Sequence, residues 1–307
     1  MTELAGAEAA LEQKPDEGEG AGPVRTRRGD AWRYLKKSPL FWISMVLIVL
    51  FVTMAVAPGL FTNQDPREAV LSEARESPSS EHWFGRDIQG YDLYARCIYG
   101  ARASILVGLF SALGTLLIGG VFGLFGGYAS GWADSLISRI AEIFFAIPLI
   151  LGAIIILTSL PDSDIYLVIV FKVVAVLVLL TWPAIFRLMR SSVLQVKPND
   201  YVQAARALGA SPWRVVTSHI LPNAMGPVIV VTTINLGVFI SAEASLSFLG
   251  IGLQPPTISW GVMISDATRA MSSAPHTLLF PAIFLSFAVL SFIMLGDAVR
   301  DAFDPKR

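Results

Sequence analysis

The chain has 307 residues, of which 54% are hydrophobic and 15% charged, and its mean hydropathy is +0.60. This composition is too apolar for a soluble domain of this size and indicates a membrane protein. The net charge of −1 gives no reason to expect a nucleic-acid partner, and the single cysteine, Cys97, excludes an intrachain disulfide and a cysteine-cluster zinc site.

The N-terminal segment 1–30 is rich in Ala, Glu, Gly and Pro, and we expect it to be a disordered cytoplasmic tail. The segment 31–61 combines a basic flank with the first apolar run, at about 40–61. A signal peptide would carry its basic residues at the very start and a small-residue cleavage site after the apolar run. Neither feature is present, so this run is predicted to be an uncleaved membrane span.

A hydrophilic extracytoplasmic segment, 62–102, is predicted next. The remaining transmembrane domain, 103–298, holds five more apolar runs long enough to cross about 30 Å of hydrocarbon as helix. They lie at about 103–128, 140–160, 165–189, 225–249 and 278–298, and a short cytoplasmic tail, 299–307, follows. The fold class predicted is therefore an all-α polytopic membrane protein with six transmembrane helices.

The distribution of charge predicts the orientation. Lys and Arg concentrate in the segments on the side of the N-terminus, whereas the opposite segments carry most of the acidic residues outside the tail. The positive-inside rule therefore predicts that both termini and the polar segment 197–223 are cytoplasmic.

Two features within the spans predict a closely packed bundle. Gly119, Gly123 and Gly127 repeat every four residues, a pattern that lets helix backbones approach closely in lipid. Packing within the chain is favoured over a contact between subunits. Three prolines inside spans are expected to kink their helices: Pro148, Pro183 and Pro281.

Two ionisable residues fall at membrane depth, and such residues often mark a solute pathway or an interface. Lys172 lies about two turns into the fourth span, where its side chain can also snorkel to the surface, and that interpretation is favoured. Glu243 lies toward the outer part of the fifth span. For Glu243 a pathway role and a simple helix end near the interface remain open alternatives.

The polar segment 197–223 has the capping and turn residues that are typical of two short helices joined by a bend. Asp200 is expected to cap the first helix, with Gln203 completing a capping box. Gly209 suits the left-handed position that ends this helix.

The second helix of this segment is predicted to begin at Ser211, with Pro212 at its first helical position. It is expected to run to about His219. The sequence L-P-N at 221–223 is then expected to end it before the next span.

This segment resembles the EAA loop of importer-type ABC permeases, E-A-A-x-x-x-G followed by an H-x-L-P-N-like ending. Gln203 stands where the family has Glu, which keeps the capping capacity but removes a charge. In that family the loop is a coupling helix that sits in a groove of a cytoplasmic ATPase subunit. The coupling residues that the resemblance implies here are Gln203, Ala204, Ala205, Gly209, Ser211, Pro212, His219, Leu221, Pro222 and Asn223.

Further motifs, spread over about 80–305, narrow the resemblance to the C-type subunit of dipeptide/oligopeptide ABC permeases. They are H-W-F-G-R-D at 82–87, G-A-R at 100–102, L-S-F-L-G at 246–250 and the ending from 296. Arg86 and Tyr91 stand where the family usually has Thr and Arg. Relatives that carry nickel or glycosides share these motifs, so the motifs identify the type of subunit better than the solute.

The resemblance implies a type I ABC importer permease fold in a prokaryotic plasma membrane. It also implies a homologous B-type partner permease, two cytoplasmic ATPase domains, an extracytoplasmic solute-binding protein and a peptide substrate. The chain has no GxxxxGK[ST] phosphate loop and no catalytic or metal-ligand constellation. We therefore expect no enzyme activity and no cofactor in this chain, with ATP and Mg²⁺ bound by the partner subunits.

The main alternative is a secondary transporter or channel that works without an ATPase. Such a protein would carry buried charges in several spans to couple an ion. This chain offers only Lys172 and Glu243. An ABC permease for a non-peptide solute such as nickel or a glycoside remains a second alternative.

Overall fold

The computed structural model describes the backbone of residues 27–129 and 131–303, and side chains from residue 32 onward. Most of the predicted tail 1–30 and the end of the predicted tail 299–307 lie outside the described residues. Within them the chain is helical, with two isolated β-bridges and no named strand. The main helices are α1 (Arg27–Lys37), α2 (Pro39–Val56), α3 (Leu93–Ala129), α4 (Trp132–Phe145), α5 (Leu149–Ser159), α6 (Tyr166–Val196), α7 (Asp200–Ala207), α8 (Pro212–Val215), α9 (Leu221–Phe248), α10 (Trp260–Ala267) and α11 (His276–Phe303).

Five helices in the described part of the chain are long and apolar enough to cross a membrane. They are α2, α3, α6, α11 and a continuous helix from Pro212 to Phe248 that includes α8 and α9. A sixth span exists if α4 and α5 are counted together, although these two helices meet at 87°. The apolar runs thus predict the spans correctly, with one exception.

The exception is the third span, predicted over about 140–160 with a kink at Pro148, which consists of two separate helices bent by 87°. The bend at Pro148 is as predicted, but the helix is interrupted there, because α4 ends at Phe145 and Pro148 is the N-cap residue of α5. A residue before proline is disfavoured in the helical region, which explains the break at this point. The first of the two helices, α4, also carries three charged residues: Asp134, Arg139 and Glu142.

The other helices extend beyond the apolar runs that predicted them. α3 begins at Leu93, inside the segment 62–102 that was predicted to be a hydrophilic connection, and α6 continues to Val196. Hydropathy marks only the part of a helix that suits hydrocarbon, whereas the backbone hydrogen bonds of a helix continue into polar sequence. α6 and α11 also run through Pro183 and Pro281, and α9 contains Pro227, a position not among the predicted kinks.

The core is built on close packing between α3 and α6. A Cβ at Gly119 or Gly123 would lie 2.6 Å from the carbonyl oxygen of Trp182 or Phe186, respectively. At Gly127 it would lie 2.8 Å from Cβ of Val193. The glycine repeat therefore faces a helix of the same chain, as the favoured interpretation predicted.

Candidate functional site

The first helix of the polar segment begins one position away from its predicted cap. Asn199 is the N-cap residue of α7, and its carbonyl accepts hydrogen bonds from the N–H groups of Val202 (2.9 Å) and Gln203 (3.2 Å). Asp200 is already helical. The predicted capping box is therefore wrong, and the Gln203 amide instead donates to the carbonyl of Lys197 at 3.1 Å.

Gly209 ends α7 in the left-handed conformation that the sequence predicts, with φ at +83°. Its N–H donates to the carbonyl of Arg206 at 2.9 Å, and the N–H of Ala210 donates to the carbonyl of Ala205 at 3.0 Å. These two bonds form a Schellman motif, which satisfies carbonyls that the end of a helix leaves without partners. The bend is thus a closed, hydrogen-bonded turn.

The second helix begins as predicted but does not end as predicted. Ser211 Oγ accepts a hydrogen bond from the N–H of Arg214 at 3.4 Å, and Pro212 is the first helical residue. A π-helical turn, Val216–Ile220, then leads directly into α9. The resulting helix runs for 37 residues, from Pro212 to Phe248, so the L-P-N sequence at 221–223 lies inside it.

The π turn explains how Pro222 is tolerated inside this helix. In a regular α-helix the proline ring clashes with the carbonyl four residues earlier. The wider π turn just before Pro222 makes room for the ring, and turns of this kind are frequent at functional sites. The side-chain amide of Asn223 donates to the carbonyl of His219 at 2.7 Å. This bond satisfies the His219 carbonyl, which belongs to the π turn and lies outside the regular α-helical hydrogen bonding.

The segment is amphipathic in three dimensions. Val202, Val215 and Ile220 are buried in a cluster that includes Val193 and Val196 at the end of α6. This cluster fixes the polar segment to the membrane-spanning part of the protein.

The opposite side of the segment presents two large apolar side chains on either side of Gly209. Leu208 is 89% exposed and Trp213 is 77% exposed. Leu208 and Trp213 were not among the predicted coupling residues. Their position as two large apolar residues beside a predicted turn in a polar segment could have indicated this role. Most of the predicted coupling residues are exposed on this segment, and Ala205, His219 and Leu221 are half-buried.

Lys172 and Glu243 have different environments. The Lys172 ammonium group is exposed and donates to the carbonyl of Pro161 at 2.6 Å, beyond the end of α5. This geometry is the one expected from the snorkelling interpretation.

Glu243 is fully buried, and its carboxylate accepts hydrogen bonds from three hydroxyl groups. Ser104 on α3 donates at 2.9 Å, Ser247 on α9 at 2.8 Å, and Ser259, the N-cap residue of α10, at 2.9 Å. α9 continues to Phe248, so Glu243 does not mark a helix end. The carboxylate joins three separate parts of the chain.

The outer segment holds a second polar network, built from the H-W-F-G-R-D motif. The Arg86 guanidinium lies 2.8 Å from a carboxylate oxygen of Glu73 and 3.7 Å from one of Glu76, and it contacts His82 Nε2 at 3.1 Å. Glu73, Glu76 and His82 are the one group of potential metal ligands found in the described residues. Since Arg86 already places a positive charge among them, this cluster is an ion-pair network.

The same network continues toward α10. His82 Nδ1 lies 2.8 Å from Asp92, and Arg96 is paired with Asp87. Burial raises the pKa of Asp266 on α10, and the Arg96 guanidinium partly offsets this effect. The pairs of His82 with Asp92 and of Arg96 with Asp87 fix the outer segment on the start of α3.

Comparisons with known proteins add independent information. Residues 119–307 match the family described as binding-protein-dependent transport system inner membrane component. Residues 26–78 match the family described as the N-terminal TM domain of oligopeptide transport permease C.

Two curated proteins align along most of their length. The chain is 40% identical to the dipeptide transport system permease protein DppC of Alkalihalophilus pseudofirmus over 277 residues, which cover 90% of this chain and 89% of that protein. It is 36% identical to the oligopeptide transport system permease protein OppC of Bacillus subtilis, with 92% and 96% covered. Among solved structures, a chain of the MetNI methionine ABC transporter in inward-facing conformations has a TM-score of 0.55 at 20% identity, covering 67% of this chain and 96% of that one.

Proposed function

Because the chain belongs to the family of binding-protein-dependent transport system inner membrane components, we propose that it is a membrane subunit of an ATP-driven importer of di- and oligopeptides. The protein is a multi-pass inner-membrane permease, and its family has a transport role. The peptide substrate is supported by the names of both relatives, which are dipeptide and oligopeptide permeases. Family membership argues against a secondary transporter or channel that works without an ATPase.

The observation that carries the coupling role is the pair of exposed apolar side chains at the tip of the polar segment. Leu208 and Trp213 flank the hydrogen-bonded turn at Gly209, and both side chains are largely exposed. Large apolar side chains on a solvent-facing tip are typical anchors for a partner groove. We assign this groove to a cytoplasmic ATPase subunit, where ATP and Mg²⁺ are bound.

The continuity of the helix from Pro212 to Phe248 supplies the mechanical link. A force applied at Trp213, near its beginning, acts directly on a span, because no flexible connection lies between them. Closure of two ATPase domains on ATP would thus move this span and the elements packed on it. The buried contacts of Val202, Val215 and Ile220 carry the same motion to the end of α6.

The proposal includes orientation and assembly. Both termini and the segment 197–223 are assigned to the cytoplasm, supported by the excess of Lys and Arg on that side. A homologous B-type permease would form the other half of the pathway, and a solute-binding protein would deliver the peptide to the outer face. The ion-paired outer segment is the surface available to that protein.

Site-specific cross-linking tests the coupling role. Leu208→Cys would be introduced after replacing the buried Cys97 by Ala, and the chain would be expressed with its ATPase, partner permease and binding protein. Leu71→Cys is the matched control, because Leu71 on the outer segment is also a highly exposed leucine, at 76% against 89% for Leu208. A thiol-reactive cross-linker is expected to join Leu208→Cys to the ATPase subunit, with a yield that changes when ATP and vanadate are added.

The control variant is expected to give no ATPase adduct in intact vesicles. Absence of the Leu208→Cys adduct, or a yield that nucleotide does not change, would contradict the coupling role. An ATPase adduct formed by Leu71→Cys would contradict the proposed orientation.

A further inference from the structure

An open cavity of about 440 Å³ lies at the end of the molecule opposite to the polar segment. The residues that follow α2, the early part of α3, the start of α6 and the loop before α10 form its walls. Its volume lies in the range of small-ligand sites, about 300–1,000 Å³. The side chains that define its chemistry are Asn63, Gln64, Arg67, Tyr99, Arg102 and Tyr166.

Two arginines give the cavity a positive wall. In the outer region Arg86 and Arg96 are each paired with carboxylates. Arg67 and Arg102 have no carboxylate within salt-bridge distance in the described part of the chain. Unpaired guanidinium groups facing a cavity are the groups best suited to bind a carboxylate, which they can hold through two parallel hydrogen bonds.

Arg102 is held in place by a contact that leaves part of its guanidinium group open. Its Nε donates to the carbonyl of Ala55 at 2.9 Å, close to the end of α2. No hydrogen bond from its terminal nitrogens is formed with another described residue. The exposed side chain of Arg102 is therefore oriented by the protein, while its terminal nitrogens have no partner among the described residues.

The one acidic residue on the wall, Asp65, does not neutralise these arginines. Its carboxylate accepts a hydrogen bond from the backbone N–H of Arg67 at 2.8 Å, within its own turn, and it is exposed. The amides of Asn63 and Gln64 and the rings of Tyr99 and Tyr166 complete the wall. Amides that can both donate and accept hydrogen bonds suit a peptide backbone, and the tyrosine rings suit side chains of different shapes.

We propose that this cavity is an outer subsite for the peptide, in which Arg67 and Arg102 bind the C-terminal carboxylate. The inference rests on the proposed function as a peptide importer. The membrane subunit itself would then distinguish peptides with a free C-terminus from peptides whose C-terminus is blocked. A peptide released at the outer face would be held with its C-terminus toward the positive wall before entering the pathway.

Protection of an introduced thiol tests the site without depending on transport. Gln64→Cys would be made in the Cys97→Ala background, and labelling by N-ethylmaleimide would be followed in the purified membrane complex without the binding protein. About 10 mM trialanine is expected to slow labelling at least about threefold, as for a site with a millimolar Kd. Trialaninamide, which lacks the carboxylate, is expected to slow it much less.

Arginine variants identify the groups responsible. Arg67→Gln is the cleaner change, because the Arg67 side chain makes no hydrogen bond in the described structure, and it is expected to remove the difference between trialanine and its amide. Arg102→Gln should do the same, whereas Arg102→Lys should retain part of the difference. Arg75→Gln is the matched control, since Arg75 is an exposed arginine of the outer segment that does not line the cavity.

The outcomes separate this inference from the proposed function. Equal protection by trialanine and its amide, or a difference that survives both arginine-to-glutamine changes, would overturn the subsite. An equal loss of uptake for all peptides in Arg67→Gln, with protection unchanged, would also overturn it and point to contact with the binding protein. Failure of the complete wild-type importer to take up any peptide would instead reject the proposed function.

Discussion

Gly209 has a φ of +83°, and the position that a Cβ would take at this residue has no neighbouring atom within 4 Å. The requirement for glycine is therefore conformational, and steric crowding plays no part in it. The turn that Gly209 forms sets the direction in which α8 leaves α7. It also places Leu208 and Trp213 on the same exposed tip, so one backbone angle determines the shape of the proposed coupling surface.

Replacing Gly209 by Val is expected to uncouple transport while leaving the protein in the membrane. The left-handed conformation costs an L-residue about 1–2 kcal/mol, and a β-branched residue more. Peptide uptake and ATP hydrolysis by the reconstituted importer would be measured together, and uptake per ATP is expected to fall. Gly209→Asn is the control, because Asn adopts this conformation more readily. Normal coupling in Gly209→Val would show that the turn matters less than proposed.

At the scale of helices, the contact between α3 and α6 depends on the absence of side chains at one face. Gly123 lies where its Cβ would be 2.6 Å from the carbonyl oxygen of Phe186 and 2.7 Å from Cβ of Met189. Since lipid supplies no hydrophobic force between helices, this close approach is what favours their association. α6 also carries the cluster that holds the polar segment, so the contact supports the site.

Gly123→Ala is expected to destabilise the protein, by about 1–3 kcal/mol as for other overpacked cores. Gly120→Ala is a matched control on the same helix, because the nearest atom to its added Cβ, Cδ1 of Leu116, is 3.8 Å away. That control should be neutral or slightly stabilising, since Ala is preferred over Gly in a helix by about 1 kcal/mol. Thermal unfolding in detergent would measure both variants. Equal unfolding temperatures would contradict the close packing of α3 against α6.

At the scale of the whole molecule, the helix from Pro212 to Phe248 connects the two functional ends. Its beginning carries Trp213 at the proposed coupling tip, and its far end carries Glu243 in the three-hydroxyl cluster. Ser104 and Ser259 bring α3 and the start of α10 to this carboxylate. The loop before α10 also forms part of the outer cavity wall, so a movement of this helix would reach the proposed peptide subsite.

Removal of the Glu243 carboxylate is expected to loosen this junction. In Glu243→Ala three buried hydroxyl groups lose their acceptor, and leaving a buried partner unsatisfied costs about 1–3 kcal/mol. Glu243→Gln, which retains one acceptor oxygen, should have a smaller effect, and Ser104→Ala the smallest. Denaturant unfolding of the purified protein would rank the three variants. The junction would have no structural role if Glu243→Ala unfolded like the wild type.

The sequence alone identified features that depend on neighbouring residues. Apolar runs located the spans, because crossing the hydrocarbon requires a continuous stretch of about 20 apolar residues. The glycine at 209 and the Ser211–Pro212 pair were also predicted correctly, since turns and caps depend on residues three or four positions apart. The family motifs identified the type of protein for the same reason, because each is contained in a short stretch.

Only the tertiary structure decided the features that depend on distant residues. The carboxylate of Glu243 accepts a hydrogen bond from a hydroxyl group 139 positions away in the chain. The glycine repeat is explained by the close approach of α6, which the sequence does not show. The interruption of the third span at its 87° bend and the continuous helix through Pro222 were not predicted, because a proline in the sequence does not show whether the helix continues past its ring. The outer cavity likewise joins four separate segments. Contacts of this kind depend on packing between segments, and no local sequence pattern indicates which segments are in contact.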